Sequence, residues 1–158
     1  MFVGQYIFNF ASQTPAASAI IHNGNAASYR AFAGAIASAS SELAPHISPP
    51  PGTVAIKIRD IADCWVATLA LQARGYRTVC VASLDVLASL EVRGLLAIVV
   101  SADEEVVAEA NRLAPVYAMR KPVFDDAVAF DPPPLAEGVE ACGHILYTSG
   151  TTGKYKKV

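Results

Sequence analysis

Charge is scarce in this chain of 158 residues. Twelve Lys and Arg and 14 Asp and Glu make up only 16% of it, for a formal net charge of −2. A balance this near neutral, with a pI of about 5.9, supplies no drive toward nucleic acid or an anionic membrane surface. The basic residues that do gather, Lys154, Lys156 and Lys157, are few and terminal. Cysteine is scarce too. Cys64, Cys80 and Cys142 are odd in number and scattered, which argues against a disulfide frame or zinc site and for reduced thiols in a cytosol. Small buried filler is their expected role, ahead of a catalytic thiol. The longest apolar run, around Leu95 to Val100, falls far short of the ~20 residues that span a bilayer. Met1 to Phe10 lacks the basic region that opens a signal peptide. A cytoplasmic protein with no membrane span is expected, and no internal repeat is present.

Apolar residues are plentiful. At 53% hydrophobic content, disorder is not expected overall, and a chain of this length makes one domain, 1–158, with a real core. The spacing of Tyr6, Ile7 and Phe10 predicts a short helix over Gly4 to Ser12, ended by Thr14-Pro15. Ala19 to His22 and Ala26 to Ser28 read as two strands around a turn at Asn23-Gly24-Asn25. Ser28 can cap a helix that buries Phe32, Ile36 and Leu43, which Pro45 and Pro49-Pro50-Pro51-Gly52 stop. Thr53 to Ile58 is a strand. Asp60 or Asp63 starts a helix carrying Trp65, Val66, Leu69 and Leu71, with Gly75 as its C-terminal cap. Arg77 to Val81 is a strand, Asp85 to Gly94 a helix, and Leu95 to Val100 a strand apolar on both faces, as in parallel sheets. Ser101 or Asp103 can cap a helix through Leu113. Val116 to Met119 is a further strand, and Lys121 to Gly143 a loop in which Pro132-Pro133-Pro134 is a rigid spacer. This alternation predicts an α/β fold, layered αβα with a largely parallel sheet.

The last residues carry the chemistry. Ile145, Leu146 and Tyr147 suit a buried strand. Thr148 to Gly153 then offer hydroxyls and two glycines, and Lys154 a compact positive charge. Glycine permits positive φ and close approach of a backbone N–H to a ligand oxygen; successive N–H groups make an anion-binding nest. Polyphosphate is the natural guest, at the carboxyl end of a strand where ligands of such sheets bind. The plain alternative, a solvated polar tail, fits a generic Gly-Ser-Thr stretch better than this ordered string. A P-loop is excluded: with Gly153-Lys154 as its Gly-Lys, the first glycine falls on Thr148 and the Mg²⁺-binding hydroxyl on Tyr155.

Tyr147 to Val158 resembles the phosphate-loop signature of the adenylate-forming superfamily: acyl- and aryl-CoA synthetases, adenylation domains of nonribosomal peptide synthetases, and luciferases. The usual pattern is Tyr-Thr-Ser-Gly-Thr-Thr-Gly-Lys-Pro-Lys-Gly-Val. Positions 147 through 154 match without a break, as do Lys156 and Val158; Tyr155 stands where proline is usual and Lys157 where glycine is usual. Upstream, Ala19-Ile20-Ile21, Ser28 to Phe32, Pro51-Gly52 with Thr53 to Ile56, Asp60 to Gly75 and Tyr76 to Val81 are similar to that family's N-terminal region in order and spacing. The resemblance covers nearly all of the chain, though only the terminal motif is specific.

It implies that Thr148, Ser149, Gly150, Thr151, Thr152, Gly153 and Lys154 contact the β- and γ-phosphates of ATP, with Mg²⁺, while a carboxylic acid becomes an acyl-adenylate that passes to coenzyme A or a carrier protein. It also implies a strand, not a helix, after the loop. The adenine and ribose contacts, the acidic Mg²⁺ contact, the acyl pocket and the C-terminal domain with its catalytic lysine lie downstream in that family. The chain is therefore expected to be the N-terminal portion of a larger AMP-binding domain: inactive alone, binding ATP weakly or not at all, and self-associating, a homodimer among the forms. An acyl- or aryl-CoA synthetase is the first reading and a peptide-synthetase adenylation domain the second. A non-enzymatic α/β binding module is the rival, which Tyr155 and Lys157 favour.

Other candidates reduce to structure. His22, His46 and His144 lack ligand spacing, and a satisfied core or edge histidine is the reading for His144. Helix capping explains Asp60 and Asp63 more simply than a carboxylate pair. Asp125-Asp126 is solvated, Trp65 and the tyrosines belong to a core or interface, and no Ser/His/Asp arrangement can be assigned, since a triad is defined by spatial geometry.

Overall fold

Short-range chemistry builds the first third of the chain. In the computed structural model, which describes residues 3–103, 110–129, 131–133, 143–149 and 155–157, α1 (Val3–Gln13) buries Gly4, Phe8 and Ala11. Strands β1 (Ser18–His22) and β2 (Asn25–Ser28) pair antiparallel. Asn23 and Gly24 join them at φ 51° and 77°, the two positive angles of a two-residue type I′ turn. Ser28 Oγ accepts from the Ala31 N–H at 3.0 Å and starts α2 (Tyr29–Leu43). Phe32, Ile36 and Leu43 are buried there as their spacing predicts. Alanines at 31, 33, 35, 37 and 39 keep this helix thin where neighbours approach.

The sheet follows. Strand β3 (Thr53–Lys57) leads into α3 (Ile61–Ala73), β4 (Arg77–Cys80), α4 (Leu84–Ser89), β5 (Leu95–Ser101), a 3₁₀ turn (Ala110–Arg112) and β6 (Val116–Met119). The four strands run parallel in the order β4-β3-β5-β6. Side chains alternate between faces of a strand, and both faces are covered. Val54, Ile56 and Val99 point to a core shared with Phe32, Ile36, Val66 and Leu71 of α2 and α3. Ala55, Ile98 and Val100 point to the opposite core with Leu87 and Leu90. Burial on both sides explains the unbroken apolar run of β5. The αβα layering expected from the sequence is therefore present.

Several local expectations need correction. The helix from Asp85 ends at Ser89, not Gly94, because Glu91 (φ 46°) and Gly94 (φ 64°) leave helical space. Of the helix expected through Leu113, residues 104–109 lie outside the described set, and the 3₁₀ turn is what is described. Of the two places expected for Trp65, core or interface, the core is excluded: it is 51% exposed, one turn from exposed Ile61 and away from buried Val66 and Ala70. The strand expected over Ile145 to Tyr147 begins only at Tyr147, and Leu146 before it is 60% exposed. Of the loop expected over Lys121 to Gly143, residues 130 and 134–142, Pro134 among them, lie outside the described set. The part over 121–129 is laid on α2, where the Phe124 ring sits 6.3 Å from that of Phe32 and Ser28 Oγ donates to Asp126, just after the Arg120 N–H donates to Glu42 Oε1 at 2.9 Å.

Candidate functional site

The C-terminal motif is anchored on the free edge of β4. The Thr78 N–H donates to the Gly143 carbonyl at 3.1 Å and the Ile145 N–H to the Thr78 carbonyl at 2.7 Å, so this stretch runs parallel to β4. The fully buried Thr78 hydroxyl is used twice, by Gln72 Nε2 at 3.0 Å and by His144 Nδ1 at 2.8 Å. His144 is thus the satisfied edge histidine its position suggested. The chain leaves this anchor in the same sense as the parallel strands, toward their carboxyl side, and Ile145 and Tyr147 pack on the second core.

It then enters β7 (Tyr147–Ser149), paired antiparallel with β8 (Tyr155–Lys157). Tyr147 faces Lys157, Thr148 faces Lys156 and Ser149 faces Tyr155. Of the phosphate contacts implied by the resemblance, Thr148 and Ser149 lie on β7, and Thr148 is exposed. Gly150, Thr151, Thr152, Gly153 and Lys154 lie outside the described residues, as does Cys142. The strand expected downstream of these residues is present as β8. Tyr155 and Lys157 are strand residues of β8, where a β-prone tyrosine with a free N–H suits a ladder better than proline.

A second concavity lies where the strand order reverses. Since β4 flanks β3 on one side and β5 on the other, the crossovers part between β3 and β5, the place where open α/β sheets form a crevice. A pocket of about 320 Å³ opens there, lined by Arg59, Asp60, Asp63, Ser101, Asp103 and Lys121. Asp60 Oδ1 accepts from the N–H groups of Ala62 and Asp63 at 2.9 and 3.1 Å, capping α3, and Oδ2 lies 2.9 Å from His22 Nε2. Desolvation opposes the charge of Asp60, but the His22 hydrogen bond and the two backbone N–H groups outweigh it and hold its carboxyl below the ordinary value. Asp63, only 4% exposed, goes the other way: burial first, then the neighbouring Asp60 charge, push it up. Capping is therefore the role of Asp60, as read from the sequence. Among the described residues, no group of three or more His, Cys, Asp or Glu side chains could hold a metal ion, and no helix is long and apolar enough to cross a membrane.

No protein-family model matches the chain, and no curated protein matches it. Solved structures do. O-succinylbenzoate coenzyme A synthetase from Bacillus subtilis, in complex with AMP, matches with a TM-score of 0.73 and 22% identity over 97% of this chain and 41% of that one. The same enzyme in complex with ATP and magnesium ion gives 0.71 and 22%, over 97% and 33%. The Klebsiella oxytoca NpsA N-terminal subdomain, in complex with 3-hydroxybenzoyl-AMSN, gives 0.70 and 22%, over 99% and 40%. The chain has the fold of the corresponding part of these proteins, and spans about two-fifths of the length of the first of them.

Proposed function

We propose that this chain is the N-terminal portion, as a single α/β unit over 1–158, of an ATP-dependent acyl-activating enzyme of the adenylate-forming superfamily. The reaction joins a carboxylic acid to ATP as an acyl-adenylate with release of pyrophosphate, then transfers the acyl group to a thiol, coenzyme A in the first reading. One observation carries this: the string Tyr-Thr-Ser-Gly-Thr-Thr-Gly-Lys, whose first three residues form β7 beside β8, in a fold shared with proteins solved with AMP, ATP and magnesium. Thr148, Ser149, Gly150, Thr151, Thr152, Gly153 and Lys154 would supply hydroxyls, backbone N–H groups and one ammonium to the β- and γ-phosphates. Charge moves onto those oxygens as the acid attacks, and fixed donors with Mg²⁺ stabilise it. The likeness to NpsA, solved with an aryl ligand, favours an aryl acid and keeps the carrier-protein reading beside the coenzyme A one.

By itself the chain is proposed to be inactive and to bind MgATP weakly, in a cytoplasmic setting. Tyr6 and Phe10 on α1 and Ile21 on β1 stand exposed, which supports self-association as a homodimer; a clean monomer by light scattering at high concentration would count against it. ATP–pyrophosphate exchange tests the main reading. The chain alone should show none. In the reading frame carried past Val158, Lys154→Ala should reduce exchange by about 10²–10³-fold, the usual effect of losing a transition-state charge contact. Robust exchange by the chain alone, or full activity of that variant, would overturn the assignment.

A further inference from the structure

Two of the three cysteines are not scattered in space. The β3–α3–β4 crossover lays the end of β4 against the first half of α3. It sets Cys64 Sγ 3.3 Å from Cys80 Sγ, with both thiols free. Cys64 is buried; Cys80 is half-buried. Both open on a pocket of about 380 Å³ with apolar walls of Ile61, Trp65 and Leu69 and a polar back of Gln72 and His144.

The two sulfurs are unequal. The hydrogen bond from Cys64 stabilises a thiolate at Cys80; burial opposes it, and His144 adds to it. Cys80 is therefore held below the ordinary thiol range. The same hydrogen bond, then burial and the Cys80 charge, push Cys64 up, with Asp63 adding a little. Thr68 Oγ1 lies 3.6 Å from Cys80 Sγ, but its single proton is directed to the Cys64 carbonyl at 2.8 Å. His144 is therefore the second donor that matters, and Thr78, itself held by Gln72, fixes the imidazole through Nδ1.

We propose that Cys80 and Cys64 form a reactive dithiol, Cys80 attacking and Cys64 resolving, which takes low-molecular-weight disulfides at the apolar pocket and closes to an intrachain disulfide. The Cys80 thiolate attacks one sulfur of RSSR, whose S–S bond breaks, and RS⁻ leaves with the electron pair. That RS⁻ takes the Cys64 proton. Cys64 then attacks the Cys80 sulfur and expels the second RS⁻. The chain loses two electrons, and the small disulfide gains them as RSH and RS⁻. The sulfurs need to approach from 3.3 Å to a bond length of about 2.05 Å, a small side-chain rotation.

Oxidised glutathione is the probe, on the full chain with Cys142→Ser so that only this pair remains. Non-reducing tryptic mapping is expected to show peptide 60–74 joined to peptide 78–93. Cys64→Ser should stop at the mixed disulfide on Cys80, and Cys80→Ser should slow glutathione uptake about tenfold or more. At neutral pH a depressed pKa raises the thiolate fraction but lowers nucleophilicity, so speed there is a poor signature. The pH profile is better: uptake should hold nearly level from pH 8 to 6, where an ordinary thiol loses about tenfold per unit. No 60–74/78–93 link, uptake by Cys80→Ser at the original rate, or a tenfold loss per unit would overturn the proposal. The link and the pH profile are read with both thiols of the pair intact, so they decide even if the pair's variants fold poorly.

Discussion

Replacing Asp60 by alanine should loosen the helix that links the sheet to α2. Asp60 Oδ1 takes two of the N–H groups that the first turn of α3 leaves without helical partners. Losing such a cap costs about 1 kcal/mol, with a range of about 0.5–2. The Oδ2–His22 pair, with side chains 32% and 30% exposed, adds a few tenths of a kcal/mol at most. The sum, about 1–2 kcal/mol, should lower the urea midpoint by roughly 0.5–1 M, given an m-value of about 2 kcal/mol per M. Asp60→Asn keeps a capping oxygen and removes only the charge, so it should cost a few tenths of a kcal/mol. The pH sign follows from the depressed folded pKa of Asp60. Its charge stabilises the fold above the unfolded value of about 3.9, and that contribution is lost as pH falls through the lower folded value. The gap between the wild type and Asp60→Asn should thus close below about pH 4. Equal costs for the two variants, or a gap that widens on acidification, would refute the capping argument.

Two further outcomes follow from packing and edge pairing. Thr78→Val removes the hydroxyl that partners both Gln72 and His144; leaving buried Gln72 unpaired should cost about 1–3 kcal/mol, and hydrogen exchange at the Ile145 amide should accelerate, whereas unchanged stability and exchange would show that the 143–145 anchor does not depend on this side chain. Gly52→Ala should destabilise by about 1–3 kcal/mol, because a Cβ there would overlap the Leu96 side chain; in thermal melts the double variant with Leu96→Ala should be no less stable than Leu96→Ala alone, and a Gly52→Ala variant as stable as the wild type would refute the close approach.

Features set by neighbours in sequence were legible before the structure. The Asn23-Gly24 turn, the Ser28 and Asp60 caps, the positive φ of Gly75 and the two-faced burial of Leu95 to Val100 each depend on a few adjacent residues, or on a period that survives in one dimension. The expectation of a phosphate loop at Thr148 to Lys154 rests on the same kind of local signal, glycine and hydroxyls in one order. What the sequence could not show is where long-range pairing puts each piece. Trp65 has an apolar side chain, but the direction of its helix face is decided by where α1 and α2 pack. Tyr147 begins a strand because it pairs with Lys157, and the residues before it are spent instead on the edge of β4. Cys64 and Cys80 stand sixteen positions apart with no spacing to connect them. The crossover between parallel strands β3 and β4 brings their sulfurs into contact, because it folds the start of a helix back over the end of the next strand.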